Sequence, residues 1–273
     1  MTFFRIYRYD ISNGLIKEYK KYILALCFFI SAAIIYRLPQ VDNISTLGNY
    51  ILFTHVGMME YSPDFANRFQ FPTVWICFHM LEYFIVLYYP YDDMNDFGKH
   101  VLINSKNRTE WYLSKCCWTI TSISIYFFIY MISQLVVCIF LGDLISMDIT
   151  QDEAFRNIYV SNEFFLGYPT SIHLLLYVLP FTVSVTIGLL QMMLSLIIKP
   201  FYSYIVCAVI LIGSAYYVNP LMIGNYAMVQ RSDIFLKNGV NSVLGLILCM
   251  VISVASVIGG IMIFKRYDIL NRG

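Results

Sequence analysis

A chain of 273 residues that is 59% hydrophobic and 13% charged, with its apolar residues gathered into runs, does not have the composition of a water-soluble domain. A net charge of +1 gives no support to nucleic-acid binding. An ATP-hydrolysing chain would need a glycine-rich phosphate loop, but Gly98-Lys99 is the only Gly-Lys pair and position 93 is Asp where that loop needs Gly.

In chain order, residues 1–21 carry Phe4, Tyr7, Ile11 and Leu15 at helical spacing, with Arg5, Arg8 and Lys17 on other faces. This pattern predicts an amphipathic helix in the cytoplasmic interface, interrupted at Asn13-Gly14. The segment is too long and too mixed in charge for a signal peptide, and Ser31, Ala32 and Ala33 fall inside the next apolar run, so it reads as uncleaved. A helix crosses a bilayer with about 20 apolar residues. Six stretches qualify: 22–38, 71–89, 116–141, 172–198, 201–217 and 242–264. The predicted fold is an all-α polytopic membrane protein with six transmembrane helices, residues 22–273 forming a single domain after the interfacial segment.

Lys and Arg are retained on the cytoplasmic side. With both termini inside, the inner segments hold Arg5, Arg8, Lys17, Lys20, Lys21, Lys99, Lys106, Arg108, Lys115, Lys199, Lys265, Arg266 and Arg272, which is 13 of the 18 basic residues. The seven cysteines lie in spans or at a cytoplasmic end, and none is in an outer loop where two could be oxidised together. No Cys/His spacing suggests zinc, so no metal site is expected.

The cytoplasmic loop 91–115 is too organised for a simple turn. Asp92, Asp93 and Asp96 suit the N-terminus of a helix starting near Phe97, and Val101, Leu102 and Ile103 offer a short apolar surface that could enter a groove on another protein. The run Gly98-x3-Leu102-x2-Ser105-x2-Arg108-x4-Leu113-Ser114-Lys115, between spans two and three of a six-span chain with an amphipathic start, resembles the membrane subunit of a type-2 ABC exporter. The resemblance implies a coupling helix over Asp96 to Arg108 that docks on a separate ATPase, with Asp96, Gly98, Val101, Leu102, Ile103, Ser105 and Arg108 as coupling residues. It also implies a second permease chain, and ATP with Mg on the ATPase partner, this chain needing no cofactor of its own.

In the second span Trp75, His79, Glu82 and Tyr83 share one helical face. A carboxylate at the bilayer centre costs about 2.5 to 3.5 kcal/mol, so Glu82 should face protein or a water-filled cavity. Two readings stay open: His79 and Glu82 are part of a transport path, or they satisfy each other and fix packing. Gln134 and Gln191 are single amides in the third and fourth spans, either interhelical bonds or substrate contacts. Pro180 should kink the fourth span, and two small-residue rows in the last, Gly245, Cys249 and Ser253, and Ser256 with Gly260, should admit a neighbouring helix. The outer segment 218–241 is too polar to span and too apolar to float free, which suggests short re-entrant helices. The acidic segment 142–170 also lies outside.

The resemblance implies an exporter permease, not itself an enzyme; the composition fits a bacterial plasma membrane, and an apolar, aromatic pathway would suit an amphipathic peptide, antibiotic or lipid. The alternative is a proton-coupled secondary transporter using Glu82 and His79.

Overall fold

The computed structural model describes residues 3–40, 44–61, 69–95, 108–149, 174–234, 236 and 238–266. Among these the chain forms eight α-helices and no strand: α1 (Phe3–Arg37), α2 (Leu47–His55), α3 (Thr73–Val86), α4 (Tyr89–Asn95), α5 (Arg108–Phe140), α6 (Leu179–Ile198), α7 (Pro200–Tyr216) and α8 (Ser242–Arg266). In hydrocarbon every backbone N–H and C=O must be paired within its own segment, which is why apolar runs of this length become helices.

Six of these helices fall where spans were expected, but only four are long and apolar enough to cross a membrane: α1, α5, α6 with the turn before it, and α8. The 14 residues of α3 would rise about 21 Å and the 17 of α7 about 25 Å, against a hydrocarbon core of about 30 Å. Prolines set these limits. Pro72 precedes α3, and the chain bends at Leu87 and Tyr88 before Pro90, which lacks an N–H and restricts the residue ahead of it. Pro200 opens α7 after Lys199, whose φ of 64° reverses the chain.

Pro180, expected to kink the fourth span, stands where the helix changes type: Leu174–Val178 forms a π-helical turn and α6 continues from Leu179, so the residue without an N–H sits at the change of register.

The first helix departs from expectation twice. It runs unbroken through Asn13 and Gly14, joining the predicted interfacial segment to the first span. Its buried row is Ile6, Asp10, Gly14, Glu18, Tyr22, Ala25, Phe29, Ala32, Ala33 and Tyr36, so two acids face protein while Phe4 is exposed. Gly14 lets α5 approach: a Cβ there would lie 2.2 Å from Trp118 Nε1.

The small-residue rows of α8 do receive neighbours. Tyr226 packs against Gly245, the Tyr112 ring of α5 against Gly260, and Thr186 Oγ1 meets Ser253 Oγ at 3.0 Å. The other side of α8 presents Val243, Leu244, Ile247, Met250, Val251, Val254 and Ile258 outward. Such a stripe is compatible with lipid and not with water.

One element had no sequence signal. All nine residues of α2 are buried, and its first N–H groups donate to the loop after α5, Leu47 N to Leu144 O (3.1 Å) and Gly48 N to Ser146 O (3.0 Å). Asp143 in that loop is also buried: Arg37 Nε and Tyr50 OH donate to its Oδ2 (2.9 and 2.5 Å), and Ser45 N to its Oδ1 (3.0 Å). The segment before α8, expected on the outer side, forms two buried 3-10 turns, Ile223–Ala227 and Val229–Arg231. Arg231 anchors them, donating to the carbonyls of Met58, Met59, Ser214 and Ala215 and to Asn225 Oδ1. Burial pushes its guanidinium down to about 10, which leaves it charged at neutral pH.

Candidate functional site

α3 carries its polar residues on one face because residues three and four apart stack along a helix. Trp75, His79, Glu82 and Tyr83 are all buried on that face, as the spacing predicts. Across from them α6 supplies Ser184, whose Oγ donates to Glu82 Oε2 at 2.7 Å and lies 3.3 Å from His79 Nδ1. His79 Nδ1 and Glu82 Oε2 are 3.5 Å apart. Ser184, absent from the sequence reading, thus ties the two together. His55, at the end of α2, adds a second buried imidazole with its ring centre 6.4 Å from that of His79. Four side-chain atoms here have no hydrogen-bond partner among the described residues: His55 Nδ1, His79 Nε2, Glu82 Oε1 and the Tyr83 hydroxyl.

Aromatic rings enclose the cluster. Trp75 and Phe78 have ring centres 5.1 and 5.2 Å from that of His79, while Tyr126 and Tyr130 pack on Phe78. Trp75 is pinned by its indole N–H, which donates to Ala227 O at 3.0 Å and so ties α3 to the 3-10 turns before α8. A cavity of about 200 Å³ opens beside His55, between α2, α5, the π turn and α6.

The two glutamines bond between helices. Gln134 Nε2 donates to Phe29 O (3.3 Å) and Gln191 Nε2 to Tyr83 O (3.1 Å). Neither lines the cavity. Such bonds contribute roughly 0.6 kcal/mol each within a membrane.

Of the coupling residues, Asp96, Gly98, Val101, Leu102, Ile103 and Ser105 lie outside the described residues, as does the helix expected near Phe97. Asp92 and Asp93, expected at the start of that helix, lie inside α4, and the Asp93 carboxylate pairs with Lys115. Arg108 opens α5 and donates to Lys265 O at 3.0 Å, a cation meeting the orphan carbonyls at the end of α8.

A second constellation sits at this same end of the bundle. Lys115 of α5 is buried between two carboxylates, ion-paired with Asp10 Oδ1 of α1 and with Asp93 Oδ2 of α4, the latter at 2.6 Å. Ser114 Oγ donates to Asp10 Oδ2 (2.5 Å) and Tyr89 OH to Asp10 Oδ1 (3.1 Å). The ammonium also lies over the rings of Trp111 and Tyr89, 4.8 and 4.9 Å from their centres. One signal was available: Asp10 falls in register with Ile6, Gly14, Glu18 and Tyr22. Nothing in the sequence said that this row, and not the apolar one, faces protein. Among the described residues no group of three or more His, Cys, Asp or Glu is placed to hold a metal ion.

Long apolar helices, an outward apolar surface and polar groups tied together inside describe an all-helical protein of membrane-embedded kind. Residues 62–270 match the family described as "Protein of unknown function (DUF2705)", and because they make up most of the chain it belongs to that family. No curated protein and no solved structure matches it.

Proposed function

We propose that the chain is the permease subunit of an ATP-driven exporter of the type-2 ABC class, in a bacterial plasma membrane with both ends in the cytoplasm. It pairs there with a second permease chain and a soluble ATPase that holds ATP and Mg. The supporting observation is how the segment 96–107 is mounted. Three residues before it, Asp93 is locked to Lys115 and through it to Asp10; at its far edge Arg108 is bonded to the end of α8. A docking segment fastened at both ends to three long helices passes force into the bundle, as coupling to an ATPase requires. The outer 3-10 turns before the last helix agree with the same class.

Replacing Leu102 with Asp tests this reading. A charge in a desolvated contact costs several kcal/mol, enough to weaken docking by orders of magnitude. We expect the variant to insert and express normally but to lose both the co-purifying ATPase and transport. Arg108→Ala should give a milder defect, since it loosens one edge of the mount only. Normal ATPase retention and transport by Leu102→Asp would remove the coupling assignment and most of the case for an ABC permease.

The buried His79, Ser184 and Glu82 favour a second reading, a proton-coupled secondary transporter. Glu82→Gln keeps shape but carries no proton. Transport that survives this change with its ATP dependence intact would exclude the relay.

A further inference from the structure

The cavity beside His55 is separate from the polar face of α3, since neither His79 nor Glu82 lines it. Its inner wall is Ile51 and His55 of α2, Tyr130 of α5 and Leu176 of the π turn, all buried. Its other side is Phe127 and Met131 of α5, Tyr177 of the π turn and Phe181 of α6, each partly exposed. The cavity is thus closed behind and reached from the flank of the bundle, between α5 and the start of α6. Phe128, Ile132 and Val178, the chain neighbours of that mouth, are exposed. An apolar rim of this kind suits hydrocarbon and not water.

The wall offers apolar surface only. His55 Nδ1 and the Tyr130 hydroxyl do not reach the cavity surface, and the Tyr177 hydroxyl donates to Met147 Sδ at 3.1 Å. A buried water needs roughly two to four polar partners. Here it finds none, so about 200 Å³ of space stays dry. Side chains around such a space lose dispersion contacts that an apolar guest restores. A dry cavity of about 150 Å³ lined by Leu, Ile and Phe binds benzene for this reason. This one is somewhat larger, enough for the end of a hydrocarbon chain, and it has nothing to offer a charge.

We propose that the cavity is a binding site for one acyl chain of a membrane lipid. The chain enters from the bilayer between α5 and the start of α6 and lays its terminal carbons against Ile51, His55, Tyr130 and Leu176. There it fills the space that α2, α5 and α6 leave between them. The site is independent of the exporter reading, since it needs neither an ATPase nor a cargo.

The test uses the purified full-length chain in nanodiscs of phosphatidylcholine doped with a phosphatidylcholine that carries a diazirine at the end of one acyl chain. Irradiation and peptide mass spectrometry then locate the adducts. We expect them on the inner-wall residues Ile51, His55 and Tyr130 as well as on Phe128 and Ile132, which face the bilayer in any case. A lipid with its diazirine on the headgroup should leave the inner wall unlabelled. Leu176→Trp should lower inner-wall labelling roughly tenfold or more, because the indole takes up the space of the chain end, and leave Phe128 and Ile132 labelled as before. Adducts confined to Phe128 and Ile132, inner-wall labelling by the headgroup reagent, or inner-wall labelling undiminished in Leu176→Trp would each overturn the site. If Leu176→Trp is not recovered as a monodisperse protein, Met131→Trp decides, because that partly exposed position blocks the mouth without crowding the core. Undiminished inner-wall labelling in that variant overturns the proposal.

Discussion

Lys115 is held by two carboxylates from two other helices, and the consequences of removing each partner differ. Replacing Lys115 with Met leaves Asp10 and Asp93 buried with their shared cation gone, a change of the kind that costs about 3 to 5 kcal/mol. Asp93→Asn is expected to cost far less, because the ammonium keeps Asp10 and the amide oxygen still accepts a bond. Combining Lys115→Met with Asp10→Asn and Asp93→Asn should recover most of the lost stability, since no uncompensated charge remains. Thermal unfolding in detergent distinguishes these outcomes. A triple variant no more stable than Lys115→Met would show that packing over Trp111 and Tyr89, not charge, holds the cluster. In the 3-10 turns before α8, Arg231 should tolerate Lys poorly. Its fork reaches five acceptors on three segments, and a compact ammonium with three donors cannot. Arg231→Lys should therefore lower the unfolding temperature nearly as much as Arg231→Met, and a fully stable Lys variant would contradict the anchoring role.

Helix α1 shows how two effects at one position are decided by magnitude. Replacing Gly14 with Ala gains about 1 kcal/mol of helix propensity. The new methyl would lie 2.2 Å from Nε1 and 2.8 Å from Cε2 of Trp118, a buried ring that cannot retreat because Tyr89 lies against it with ring centres 4.4 Å apart. Overpacking of this kind costs about 1 to 3 kcal/mol, and with so deep an overlap we expect Gly14→Ala to be destabilised, while neighbouring Asn13→Ala is neutral or gains. Thermal unfolding of the two variants side by side checks it; a Gly14→Ala protein as stable as Asn13→Ala would mean that α1 and α5 are not in close contact. The same residue marks where the sequence was legible and where it was not. Asn13-Gly14 reads as a break because its helical cost is local, whereas the gain depends on a tryptophan on another helix. The face shared by His79 and Glu82 could be read because its spacing lies within one helix; Ser184 and His55, which complete it, come from elsewhere in the chain. Helix α2 left no trace because a nine-residue element buried all round has no polar face to set its period.

At the scale of the molecule, charge and contact divide the bundle into two ends. Asp10, Lys115 and Asp93 meet at one end, and Arg108 there reaches the end of α8, so the start of α1 and the end of α8 lie on the same side. Arg37 with Asp143, and Arg231 with the 3-10 turns before α8, occupy the other. Lys17, Lys20, Lys21, Lys199, Lys265 and Arg266 add to the first end, and because basic residues are retained on the cytoplasmic side, the orientation we propose puts that end in the cytoplasm. Reporter positions follow from burial. Position 231 is unsuitable, because its side chain is buried and a cysteine there would be both hidden and destabilising. Leu221, 77% exposed in the segment before α8, and Lys20, exposed on α1, are the better pair. A cysteine at 221 should react with a membrane-impermeant thiol reagent in intact cells above the background of the seven native thiols. A cysteine at 20 should react only after the cells are opened. The reverse pattern would turn the protein over in the membrane, place 96–107 outside, and leave no cytoplasmic segment there for an ATPase to grip.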